Sequence, residues 1–402
     1  MTEVKHMTVG GVICEFNPFH NGHRYLLQRM RQDGTDGIVA CMSGSFTQRG
    51  EPAVFDKYVR TRAALQNGAD IVIELPSIFA CAGAEQFAFG GVFLLSAMGC
   101  VDRLYFGSEC GEIRLIQYTA EILSGKEFSA VLQDYVQSGE TFAAAREKAV
   151  RSMAGDKAAN ILTNPNDILG TEYCKALLRL NSPIKPVCIR RSSVLHDSPL
   201  PNGSFASASF LRQELYQGND ISPFIPENTH QVVLASAQSL PKSSRMAALE
   251  GAMLYRLRMM SQNELRSLPD ISEGLENRLY TAIQRGTSIE EILSLAKCKR
   301  YTLSRLQRCL LHALLGLTKS NTTLLPQYIR VLGFNKTGQR ILRLCKQNAS
   351  LPVITKHSQT SALSIDAKQQ YALECRCDDI YALSGKNILP CGTSASAKMI
   401  VL

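Results

Sequence analysis

Between Thr8 and Leu27 an apolar run, Thr8-Val9-Gly10-Gly11-Val12-Ile13-Cys14, breaks into Glu15-Phe16-Asn17-Pro18-Phe19-His20-Asn21-Gly22-His23 and then into an amphipathic segment. A β-rich apolar run reads as a buried strand, Asn17-Pro18 as a turn, and Asn21-Gly22 followed by Arg24-Tyr25-Leu26-Leu27-Gln28-Arg29-Met30 as the opening of a helix. His20 and His23 then fall on the first turn, three residues apart, where both ring N–H groups can point at one anion. The helix end adds unpaired backbone N–H groups and the positive end of its dipole, and Gly22 lets a phosphate or an adenine approach the backbone. The competing reading is a pair of surface histidines on an amphipathic helix. The strand before them and the helix after them weigh against it.

Strand-like runs recur at 9–14, 37–42, 71–75, 101–106 and 186–190, with helical patterns between them. Such βα alternation predicts an α/β fold with a parallel sheet, helices on both faces and ligands beyond the carboxyl ends of the strands. The loops after the strands are therefore the informative ones. Ser43-Gly44-Ser45-Phe46-Thr47-Gln48-Arg49-Gly50-Glu51-Pro52 is too long for a simple connector. Lys57, Arg60 and Arg62 follow on a helix, where they either neutralise a polyphosphate or form a solvated face. Gly107, in Tyr105-Phe106-Gly107-Ser108-Glu109, would let a ligand pass close to the backbone. Asn166 or Asp167 would cap a helix or reach the site. The fifth run delivers Arg190-Arg191 and then His196-Asp197, whose roles stay open. In Ala206-Ser207-Ala208-Ser209-Phe210-Leu211-Arg212, capping explains one serine, whereas two serines and an arginine one turn on point to a second phosphate cradle.

At 402 residues the chain exceeds one ordinary domain. A polar, proline-bearing stretch from Gly218 to Asn228 marks the end of a first unit, 1–220. A helical region, 221–325, is expected to carry helices near 244–260, 264–285 and 302–317, and a small mixed α+β region spans 326–402. No apolar run reaches the roughly 18 residues of a membrane span, and the N-terminus lacks a secretory signal's apolar core, so a cytoplasmic location is expected. The 13 scattered cysteines fit reduced, mostly buried thiols. Cys375-Arg376-Cys377 is one residue short of the usual zinc-binding spacing, so no metal site is expected there, and Cys14 reads as a buried thiol rather than a nucleophile.

The net charge of +9 is uneven: residues 1–240 hold 21 Lys/Arg against 24 Asp/Glu, and residues 241–402 hold 23 against 11. No acidic residue occurs between Glu291 and Asp366, an interval that contains Lys297, Lys299, Arg300, Arg305, Arg308, Lys319, Arg330, Lys336, Arg340, Arg343, Lys346 and Lys356. Arg305 with Arg308, and Lys336 with Arg340 and Arg343, recur at helical spacing. Either this is a solvated basic face or it is built for a polyanion held through its phosphates.

With these residues in hand, the chain resembles the tRNA(Met) cytidine acetate ligases, a bacterial branch of the HxGH nucleotidyltransferase superfamily. The likeness rests on Val12 through His23, on Ser43 through Pro52, on Gly68-Ala69-Asp70-Ile71-Val72-Ile73-Glu74-Leu75-Pro76, on Pro165-Asn166-Asp167-Ile168-Leu169-Gly170 and on Arg300-Tyr301-Thr302-Leu303-Ser304-Arg305. It implies a Rossmann-like HxGH domain, followed by the helical region and a small basic C-terminal region. It implies a reaction in which acetate is adenylated by ATP and the acetyl group passes to N4 of the wobble cytidine (position 34) of elongator tRNA(Met).

It further implies that ATP is held by Ile13, Cys14, Glu15, Phe16, Asn17, Pro18, Phe19, His20, Asn21, Gly22, His23, Arg24, Tyr25 and Leu26, with Gly107, Asn166, Arg190 and Arg191. His20 and His23 would be the catalytic pair, Ser207 and Ser209 would share the phosphate contacts, and Mg²⁺ is expected with ATP. The RNA would meet Lys299, Arg300, Arg305, Arg308, Lys336 and Arg340. No obligate protein partner is evident. The likeness weakens at Ser192-Ser193-Val194-Leu195, where the family more often shows a glycine-rich stretch and a tyrosine. Two rivals remain: a transferase joining a nucleotide to a small phosphorylated metabolite, and an RNA-binding protein with an inactive nucleotide fold.

Overall fold

A computed structural model describes residues 7–191, 201–237, 240 and 244–402. Its sheet is built from β1 (Val9–Cys14), β2 (Gly37–Ser43), β3 (Ile71–Leu75), β4 (Arg103–Ser108), β5 (Lys185–Arg190), β6 (Ile329–Phe334), β7 (Val353–Ile354) and β8 (Ile400–Val401). The strand order is β5-β4-β1-β2-β3-β6-β7, with β8 beside β6. β1 to β5 are parallel, and their order reverses between β1 and β4. That reversal opens a crevice at the strand ends, the place where such sheets bind ligands.

β1, β2 and β3 are buried throughout, as expected of parallel strands covered on both faces. Alternate residues serve separate cores. Val9, Ile13, Val39, Cys41, Ile71 and Ile73 pack with Phe87, Val92 and Leu95 of the Ala84–Ala97 helix and with Tyr173 and Leu177 of the Pro165–Arg179 helix. Val12, Cys14, Ile38, Ala40, Met42 and Val72 pack on the other face with Leu27, Met30, Ala63 and Leu65.

Two expectations are corrected. The 326–402 region, expected as a separate small piece, completes the same sheet: β6 pairs antiparallel with β3, Ile71 opposite Phe334 and Val72 opposite Gly333. Its helices Lys336–Asn348 and Ile365–Ala382 place Ile341, Leu342, Cys345, Leu373, Cys377 and Tyr381 in the main core. A fully buried β3 would otherwise present unpaired backbone groups, and β6 satisfies them. Gly338 permits the close fit, since a Cβ there would collide with the Asp70 carbonyl oxygen. Second, the helix expected over 264–285 divides into Gln262–Ser267 and Leu275–Arg285. Pro269 disfavours a helical Leu268, and Asp270 and Glu273 take left-handed φ values of 60° and 58°. The middle helices enclose their own core around Met253, Leu257, Leu279, Ile292, Leu306 and Leu310.

Candidate active site

The chain leaves β1 at Cys14 and turns through Phe16, whose φ is 48°, and a cis Asn17-Pro18 bond into the Asn21–Gln32 helix. Phe16 and Phe19, each 1% exposed, meet edge to face at 4.8 Å, and His23 rests against both at 4.9 and 5.6 Å. His20 is the residue that caps the helix. Its Nδ1 accepts the Gly22 N–H at 3.0 Å, and His23 Nδ1 accepts the His20 N–H at 3.3 Å. An imidazole accepting at Nδ1 carries its proton on Nε2 when neutral, so capping sets the tautomer of both rings. The rings stack with centroids 3.7 Å apart.

Both rings are held neutral. Burial lowers His20 to about 3, helped by the charges of Arg191 and Arg212. Burial, then His20 and Arg191, depress His23 well below the usual imidazole range. The pair therefore presents two Nε2–H donors without fixed charge. Gly22, expected to open its backbone to a phosphate or an adenine, lines the cavity beside the His20 ring. A Cβ at Gly22 would lie 2.8 Å from the His20 ring, and the Gly22 N–H is already used by that ring.

A depressed imidazole pKa also predicts acid sensitivity. The unfolded chain takes up a proton below pH 6.5 while folded His20 does not, so the stability present above pH 6.5 is lost as pH falls toward about 3. His20 alone contributes a loss of about 2 kcal/mol by pH 5. Urea unfolding of His20→Asn should show a flatter pH dependence between pH 6.5 and 5 than the unaltered chain; parallel curves would contradict the assignment.

The rings face a cavity of about 270 Å³ at the crevice between β1 and β4. Ile13, Cys14, Glu15, Phe16, Asn17, His20, Gly22, His23, Tyr25, Leu26, Gly107, Asn166, Arg190, Arg191, Ser207 and Ser209 all line it. Pro18, Phe19, Asn21 and Arg24 are not among its lining residues. Phe19 supports His23 from below, Asn21 Nδ2 donates to the Ser204 carbonyl at 2.8 Å, and Arg24 is exposed. His196 and Asp197, like the divergent stretch from Ser192 to Leu195, lie outside the described residues.

Neighbouring loops supply the remaining walls. Arg191 lies along Gly107, where a Cβ would meet its side chain at 3.4 Å. Asn166 Nδ2 donates to Glu109 Oε1 at 2.5 Å. Neither Asn166 nor Asp167 is the helix cap, which is Asn164; buried Asp167 instead accepts from Ser108 Oγ at 2.5 Å and the Glu109 N–H at 3.0 Å, shaping the turn after β4. Ser207 caps the Ala208–Gln217 helix, with Ser209 Oγ 3.3 Å away, and Arg212 donates to the Asn17 carbonyl at 3.0 Å. Glu15 accepts the Gln48 N–H at 2.7 Å, and burial raises its carboxyl pKa. Burial raises the Cys14 thiol well above its ordinary value, which disfavours the nucleophilic thiolate. Arg49, Arg190, Arg191 and Arg212 against Glu15 make the walls cationic.

Sequence reasoning missed Phe87 and Tyr173, which carry the signal of ordinary core aromatics on helices, and Gln48 and Arg49, whose loop was marked by its length and its likeness to the family but whose individual residues were not singled out. It also misplaced several cations. Lys57 and Arg60 do not face a polyphosphate: Lys57 is buried between Glu74 and Asp378, and Arg60 donates to the carbonyls of Glu15, Ser43, Gly44 and Phe55. Arg305 and Arg308 are likewise engaged. Arg305 donates to the Asp270 carbonyl at 2.9 Å and to Ser272 Oγ at 2.7 Å, and Arg308 pairs with Asp270 at 2.6 Å. The acid-free interval recruits its acids from the loop around Pro269. Lys299, Arg300, Lys336 and Arg340 are exposed.

The family model described as HIGH Nucleotidyl Transferase matches residues 7–393. The chain is 39% identical over 389 residues to a tRNA(Met) cytidine acetate ligase of Thermoanaerobacter sp. (strain X514), covering 95% of this chain and 96% of that protein. It is 40% identical over 386 residues to a protein of the same description from Caldicellulosiruptor saccharolyticus, covering 94% and 95%. Among solved structures it is similar to apo Thermotoga maritima TmcAL, with a TM-score of 0.93 and 31% identity over 98% of this chain and 100% of that one. The same protein bound with alpha-thio ATP gives a TM-score of 0.89 at the same identity and coverage.

Proposed function

Because this chain belongs to the HIGH nucleotidyl transferase family, we propose that it is a tRNA(Met) cytidine acetate ligase that binds ATP, adenylates acetate and acetylates N4 of the wobble cytidine of the elongator tRNA. The observation that carries this reading is the pair of stacked, neutral imidazoles whose capping bonds fix both tautomers and whose rings line an arginine-rich cavity.

Acetate is a poor acyl donor, and the exocyclic amine of cytosine is a weak nucleophile because its lone pair is delocalised into the ring. The carboxylate oxygen therefore attacks the α-phosphorus and pyrophosphate leaves. The amine then attacks the acyl carbon, AMP leaves with the bonding electrons, and the amine loses a proton. Nε2–H of His20 and His23, with Arg191, Arg212 and the serine cradle, stabilises charge developing on pyrophosphate without reorganising. No nucleophilic side chain is needed, so holding the reactants in line is the main task of the walls. Among the described residues no group of three His, Cys, Asp or Glu is placed to hold a metal. Mg²⁺, expected with ATP, would arrive on the triphosphate, and no step here depends on it.

We assign catalysis to 1–220 and RNA contact to the basic end of 221–325 together with 326–402, through Lys299, Arg300, Lys336 and Arg340. No described helix is long and apolar enough to cross a membrane, and we place the protein in the cytoplasm beside its RNA. Neutralising those four cations should weaken tRNA binding across sequences and flatten the log K against log salt slope by about one for each phosphate that no longer meets a cation. An unchanged slope would remove them from the RNA face.

The deciding assay is exchange of labelled pyrophosphate into ATP, followed by nucleoside analysis of tRNA incubated with ATP and labelled acetate. Acetate-dependent exchange and N4-acetylcytidine support the proposal. Exchange that depends on a phosphomonoester instead would favour the metabolite transferase, and RNA binding without AMP release would favour an inactive fold.

A further inference from the structure

The loop after β2 walls the cavity through Gln48 and Arg49, yet it is pinned from the far end of the chain. Buried Ser45 donates to Asp378 Oδ1 at 2.6 Å, and Asp378 Oδ2 receives Lys57 Nζ at 2.6 Å. Lys57 also meets Glu74 at 2.6 Å, and Arg330 of β6 stands 3.1 Å from that carboxylate. Tyr381, one turn beyond Asp378 on the Ile365–Ala382 helix, donates to the Ala53 carbonyl at 2.9 Å, and the Ala53 N–H donates to the Ser45 carbonyl at 2.9 Å. One C-terminal helix thus grips both ends of the loop. The loop in turn grips the signature turn: the Gln48 N–H donates to Glu15 and the Val54 N–H donates to Asn17 Oδ1, each at 2.7 Å.

We propose that Asp378 is a positioning residue of the nucleotide site, acting through Ser45 to set the loop that brings Gln48 and Arg49 to the cavity. The region assigned to RNA contact therefore also builds the ATP site. This rests on the functional reading above, since it presumes that the cavity takes ATP.

The structure supplies a matched control. Ser77 is buried and donates both its N–H, at 2.7 Å, and its hydroxyl, at 2.8 Å, to Glu374 on the same C-terminal helix, but it does not line the cavity. Ser45→Ala and Ser77→Ala each remove one buried hydroxyl-to-carboxylate bond and leave the carboxylate another partner. A purely structural role would make the two variants alike. In acetate-dependent ATP–pyrophosphate exchange with the full chain, Ser45→Ala should raise KM for ATP about tenfold with kcat within about twofold, the size of effect expected from losing one buried hydrogen bond's worth of positioning. The Kd for alpha-thio ATP should rise in parallel, while Ser77→Ala leaves both constants near those of the unaltered chain. Equal KM shifts in the two variants, or no shift in Ser45→Ala, would overturn the proposal. An unaltered chain that binds no alpha-thio ATP would instead overturn the functional reading beneath it.

Discussion

His23→Ala lowers acetate-dependent ATP–pyrophosphate exchange by about 100-fold or more while tRNA affinity stays within about twofold. The size follows from what the ring supplies. A donor aimed at charge that develops in the transition state, in a site shielded from water, contributes about 3 kcal/mol when its geometry is set in advance. His23 is set in advance three times over: Nδ1 holds the His20 N–H, the ring stacks on His20 at 3.7 Å, and Phe16 and Phe19 support it from below. Because burial keeps both rings uncharged, the loss should be nearly independent of pH between 6 and 8. His23→Gln, which retains one N–H donor, should recover part of the activity. Pyrophosphate exchange measured beside filter binding of tRNA checks the pair. Equal loss of both activities would show that the histidines organise the fold rather than the phosphates.

Lys57→Met destabilises the protein by about 3–5 kcal/mol, the cost of leaving buried charge uncompensated. Glu74 and Asp378 are 3% and 5% exposed, and Lys57 bridges them. Burial and the charge of Arg330 oppose the ammonium, yet Asp378 and Glu74 outweigh both and raise its pKa. Without it Arg330, at 3.1 and 3.8 Å, is the remaining cation near the two carboxylates among the described residues, and Asp378 keeps only the neutral hydroxyls of Ser45 and Ser394 beside it. Arg62→Met is the control on the same Lys57–Gln66 helix. Its side chain is exposed, and the change should stay within about 0.5 kcal/mol. Urea unfolding of the two variants separates them, and equal midpoints would deny the network its role.

These three cations also show where sequence reasoning stops. Lys57, Arg60 and Arg62 lie within the first two turns of one helix, and a linear pattern offers each the same choice between phosphate and solvent. The fold gives each a different fate: Lys57 goes to an ion pair with a residue 321 positions away, Arg60 to four backbone carbonyls, and Arg62 to water. Arg305 and Arg308 teach the same lesson, since the acids that engage them precede the acid-free interval. The histidine site was more readable because its parts are local. Strand, turn and helix follow one another within Val9 to Gln32 and leave local patterns, although the cap itself is His20, a residue type that does not announce a cap and that the sequence pattern placed on the first turn.

From its residues alone this protein declares five apolar strand runs, a strand-turn-helix bearing two histidines, and the loops around the cavity. All of these depend on interactions among neighbours in the chain, which leave periodic or positional traces. Only the tertiary structure decided that β6 closes the sheet beside β3, that Asp378 and Tyr381 hold the loop after β2, and which cations are buried. Those contacts join residues from different elements, some of them more than 300 positions apart, and they form only because burying apolar faces brings the strands and helices together first. No local pattern records such a pairing.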